Sequence, residues 1–94
     1  GFFVLWATLE GVIRKTAECE GLPIERLPTA DVLPSLYDFG GLSGEQYARL
    51  RTALVLRNRV AHGFGAGRHE LEAGVKELMN ILVELLPQVA ERAA

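Results

Sequence analysis

Apolar residues recur along this chain at intervals of three and four, the spacing of one helix face. No β-branched stretch alternates as a half-buried strand would. The first segment, about residues 2–20, carries Phe2, Trp6, Leu9, Ile13 and Ala17 on one stripe, and Gly21 and Pro23 end it. Residues 21–30 read as a connector. Asp31 to Phe39 predicts a short helix with Pro34 in its first turn, closed by Gly40-Gly41. Ser43 and Gln46 form a capping-box pattern that opens a third helix running to His62, with Gly63 in the left-handed stop position. After the loop 63–67, a fourth helix from Arg68 or His69 carries Leu71, Val75, Leu78, Leu82, Leu85 and Val89, and Pro87 predicts a kink or break near its end. The expected fold is all-α: one compact domain over residues 1–94, a bundle of four to five helices with short connections.

Composition is that of an ordinary globular domain, with 49% apolar and 23% charged residues. No apolar run approaches the ~20 residues of a membrane span, so no membrane contact is expected and a cytoplasmic setting is. The chain opens on Gly1 inside a helical pattern, which reads as a domain excised from, or C-terminal in, a longer protein. Cys19 is the sole cysteine, so no internal disulfide forms and a Cys-rich metal site is excluded. A buried small side chain is its expected role. The net charge of −2 hides a separation, because residues 49–68 hold Arg49, Arg51, Arg57, Arg59 and Arg68 and no acid. That segment carries +5 and the remainder −7, which predicts one positive surface on an acidic body.

Candidate chemistry concentrates at Arg57-Asn58-Arg59-Val60-Ala61-His62-Gly63. With about 100° between successive residues, Leu50, Ala53, Leu54, Val60 and Ala61 form one apolar arc, and Arg57 falls inside it. A cation there is costly unless it is paired or faces something other than core. Glu10, within the apolar face of the first helix, poses the same puzzle; the simplest expectation is that Glu10 and Arg57 meet, or that both line a cleft or interface. Asn58 and His62 are i, i+4 neighbours, and Arg51 lies close by. An arginine suits a phosphate and a histidine titrates near neutrality, so together they suit chemistry on a phosphodiester.

At these residues the chain resembles the HEPN superfamily (higher eukaryotes and prokaryotes nucleotide-binding domains), whose hallmark is Arg, a polar residue such as Asn, a short spacer and His. Arg57-Asn58-x-x-x-His62 matches the shortest such spacing, at the end of the third long helix of a small bundle. The resemblance implies a metal-independent endoribonuclease of prokaryotic defence or toxin–antitoxin systems, with a composite site where two domains pair. Arg57, Asn58 and His62 would be its catalytic residues, with no cofactor and no metal. Arg51, Arg59 and Arg68 are candidate RNA-binding cations, and Glu10 a supporting residue. The implied partners are an RNA substrate, a second copy, and an antitoxin or further domains of a longer chain. Toxins of this kind paired with minimal nucleotidyltransferases often carry Tyr two residues after the His; here Phe64 lacks the oxygen that would accept a nucleotide.

Other signals carry less. Gly63-x-Gly65-x-Gly67 has neither the preceding strand nor the following Lys-Ser/Thr of a phosphate cradle. Asp38-Phe39-Gly40 spells a kinase tripeptide in a chain too short for a kinase. Trp6 sits at a core position and His69 at a surface one. Beside the nuclease stands a second expectation, a non-catalytic HEPN-like domain that dimerises or binds nucleotide or RNA inside a larger defence or restriction protein. A third is a plain oligomerisation bundle.

Overall fold

The structure, a computed structural model, describes the backbone of residues 1–93 and the side chains of residues 1–91. Four helices are present among the described residues: α1 (Phe2–Cys19), α2 (Thr29–Phe39), α3 (Gly44–Ala61) and α4 (Arg68–Ala93). There is no strand among them. α1 packs chiefly on α4, and α2 closes the bundle against α1 and α3. Ion pairs from Arg59 to Glu70 and from Arg49 to Glu77 and Glu84 fix α3 and α4 as an antiparallel pair. Trp6, Leu9, Ile13, Leu50 and Leu78, read from the sequence as apolar-face residues, are essentially out of water. So are Leu33, Leu36 and Ile81, which that reading did not name, while Leu71, Val75 and Val89 are only half-buried. Each fully buried side chain contributes about 1.5–3 kcal/mol of burial free energy.

Gly74 lets three helices meet. A Cβ there would stand 2.7 Å from a Leu56 methyl and 3.2 Å from the Phe2 ring. The glycine therefore sets how closely the starts of α1 and α4 approach the end of α3. Leu56 points inward at that contact, and the buried face of α3 is Leu50, Ala53 and Leu56, with Leu54, Val60 and Arg57 half-buried and Ala61 exposed.

Four local expectations need correction. α2 begins at Thr29 rather than Asp31, which moves Pro34 from the first turn into the helix interior. The carbonyl that Pro34 leaves without a donor belongs to the exposed Ala30, where water can satisfy it. α4 is not interrupted at Pro87, because the carbonyl facing that ring belongs to exposed Val83. Cys19 is exposed rather than buried, since it lies about 110° around α1 from the centre of the buried stripe. Glu10 does not reach Arg57. Its carboxylate accepts a 2.5 Å hydrogen bond from the buried Thr29 hydroxyl, and Arg14 donates to the Leu27 carbonyl at 2.8 Å. Those groups hold the connector between α1 and α2, so Glu10 supports the fold there. No helix among the described residues is long and apolar enough to cross a membrane.

Candidate functional site

The second half of α3 holds the candidate residues, and both of its ends are fixed locally. At the start, the Ser43 hydroxyl accepts from the Gln46 amide and the Gln46 side chain accepts from the Ser43 amide, each at 3.0 Å. At the end, Gly63 takes φ +77° and donates to the Val60 carbonyl, while Phe64 donates to the Arg59 carbonyl at 2.9 Å. This paired closure satisfies the last carbonyls and places His62 at the cap, exposed, with the loop turning away behind it.

Arg57 is half-buried beside that terminus. Its Nη1 donates to Asn58 Oδ1 at 3.0 Å, while its Nε is buried with no partner among the described residues. No carboxylate among the described residues pairs with this guanidinium, and an uncompensated buried donor is costly. With Oδ1 engaged, the two N–H donors of the Asn58 amide remain for another acceptor. Asn58 and His62, one turn apart, line a shallow depression of about 230 Å³ together with Val55, Arg59 and Phe64. Phe64 is 79% exposed, an aromatic face standing free beside the imidazole. Arg57 is thereby joined to the depression through Asn58 and does not line it itself.

The cations do not form the single positive surface that the sequence predicts. Arg49 donates through Nε to Glu77 and through Nη1 to Glu84 at 2.6 Å, and Glu45 lies 3.8 Å away. Arg59 is bound to Glu70 at 2.5 Å, and Arg68 to Glu72 at 3.2 Å. The acids of α4 thus neutralise three of the five arginines. Bonding to Glu77 and Glu84 holds the Arg49 guanidinium above its ordinary range; the same bond from Arg49 holds the Glu84 carboxyl below its own. Arg51 and Arg57 alone in this segment have no carboxylate partner among the described residues.

No protein-family model, curated protein or solved structure matches this chain. Its chemistry is therefore read from its own residues. No three His, Cys, Asp or Glu side chains come together as metal ligands among the described residues. One group escaped the sequence reading. Tyr37, from α2, stacks parallel on Tyr47 of α3 with ring centroids 4.6 Å apart. Arg51 lies over the Tyr47 ring at 5.7 Å from its centroid and donates to its hydroxyl at 3.3 Å. The i, i+4 spacing of Tyr47 and Arg51 was visible in the sequence, but nothing there placed Tyr37 against them.

Proposed function

We propose that this chain is a metal-independent endoribonuclease domain of HEPN type, acting in prokaryotic defence or as a toxin, with a composite site made by two copies. The observation that carries this reading is Arg57: a half-buried guanidinium with no carboxylate partner among the described residues, bonded at 3.0 Å to Asn58, which stands one helical turn before a solvent-facing His62. A cation serving the fold alone would gain from a counter-ion, as Arg49 does.

RNA supplies its own nucleophile. The 2′-hydroxyl loses its proton to a base and attacks the adjacent phosphorus, and the bond to the 5′-oxygen breaks as an acid protonates that oxygen. The products are a 2′,3′-cyclic phosphate and a 5′-hydroxyl. His62 is the acid–base group in this scheme. Asn58 donates to the phosphate from its amide, and Arg57, bonded to Asn58, lends its positive charge to the non-bridging oxygens as their charge grows. One imidazole does not perform both transfers in a single event, which favours a second copy opposite the first. The small depression at His62 also suits only part of a nucleotide.

A second reading has its own support. Arg59 and Arg68 are engaged by Glu70 and Glu72, and Met79, Val83 and Leu86 leave an exposed apolar strip on α4. Both suit a non-catalytic domain that pairs or binds RNA within a larger protein, or meets an antitoxin. Arg57→Ala separates the two readings. Cleavage of a single-stranded oligoribonucleotide falls at least about a hundredfold with folding and pairing retained if the nuclease reading holds. Loss of pairing alone, with no cleavage by the parent protein, would replace it with the second.

A further inference from the structure

We infer that one face of α3 is a binding track for single-stranded RNA, leading from the Tyr37–Tyr47 stack past Arg51 to Asn58 and His62. The inference rests on RNA being the substrate of the Arg57–His62 site. Tyr47, Arg51, Asn58 and His62 follow at i, i+4, i+11 and i+15, within about 60° of one another around the helix axis. At 1.5 Å per residue they span about 22 Å, room for a strand of about four nucleotides, the small end of such sites.

Each station has the chemistry the strand requires. Arg51 is exposed and makes no ion pair among the described residues, unlike Arg49, Arg59 and Arg68. It is the cation on this face left available to a phosphate. Tyr47 is half-buried and engaged by both Tyr37 and Arg51, so Tyr37, 41% exposed, is the ring of the stack more open to a base. A flat ring held by a neighbour loses little freedom when a base stacks on it, and every base offers a π-face. Val55 and Phe64 give apolar lining toward the His62 end, where the strand would be cut. Aromatic faces thus stand at both ends of the track, and between them lies Arg51, which has no carboxylate partner among the described residues.

The test uses His62→Ala protein, which leaves its ligand intact, and a fluorescein-labelled octauridylate followed by anisotropy across a salt series. Tyr37→Leu is expected to weaken binding about tenfold, while Tyr37→Phe retains the affinity of the parent. On an octamer of abasic riboses the Tyr37→Leu loss disappears. Arg51→Ala reduces the slope of log affinity against log salt by about 0.7, one single-strand phosphate contact. Unchanged binding in both Tyr37→Leu and Arg51→Ala would overturn the track and leave the nuclease untouched. Should Tyr37→Leu fail to fold, equal binding of abasic and intact octamers by protein retaining Tyr37 overturns it instead. Tyr37-dependent binding by a protein with intact His62 that never cuts RNA would keep the track and defeat cleavage.

Discussion

Arg57 shows most clearly what a single residue reveals about a small domain. Its place on the apolar side of α3 was legible from spacing alone, because a charged residue among Leu50, Ala53, Leu54 and Val60 breaks the amphipathic pattern. What surrounds it was not legible. Glu10 looked like the obvious counter-ion, yet Thr29 takes its carboxylate, and which hydroxyl reaches which acid depends on where the connector brings α2. A partner-less buried donor costs stability unless it serves something else. Arg57→Met, which keeps the stem and removes the charge, should therefore match or exceed the parent in thermal midpoint while losing cleavage. A melting temperature several degrees lower would mean that the guanidinium serves the fold.

Among the elements, α1 and α3 show how far periodicity goes. Helix positions, the capping box at Ser43 and the glycine stop at Gly63 followed from local rules, since each depends on residues within one turn. The start of α2 and the continuity of α4 did not. Proline is read as a breaker, and its actual effect depends on whether the stranded carbonyl faces water, as those of Ala30 and Val83 do here. The same reasoning yields a stabilising change. Gly11 lies inside α1, exposed, with nothing within 4 Å of where a Cβ would stand. Gly11→Ala should add about 0.5–1 kcal/mol, read from urea unfolding. Ser43→Ala should remove about 1 kcal/mol by opening the cap. The α3–α4 seam predicts a pH response as well. The Glu84 carboxyl is held low by its bond from Arg49, so its contribution is complete above the ordinary carboxylate range. It is lost as pH falls through the lowered folded-state value. Arg49, held high, stays charged throughout and adds no pH dependence. Glu84→Gln should flatten the fall of the melting midpoint on acidification; an unchanged acid limb would mean the pair does not form in solution.

For the whole molecule, the arrangement of charge is where sequence and structure part. A segment carrying +5 suggested a basic face, but folding lays the acids of α4 along it and leaves two of its arginines without a carboxylate partner among the described residues. Long-range pairing of this kind is set by packing and is not written in any local window. The candidate site sits at one end of a body 39 × 25 × 22 Å, beside the turn from α3 into α4, and among the described residues His62 is the one imidazole that lines its depression. Pairing of two such ends brings two. Cleavage per protein should therefore fall on dilution through the range where the dimer separates. Rates independent of protein concentration over three decades, with a monomer in the ultracentrifuge, would reject the composite site. The most direct measurement is the mass of the RNA ends released by concentrated protein in EDTA, beside His62→Ala. Ends bearing 2′,3′-cyclic phosphate and 5′-hydroxyl, absent from the variant, are the expected result. Intact RNA, or ends bearing 3′-hydroxyl and 5′-phosphate, would contradict cleavage by Arg57 and His62.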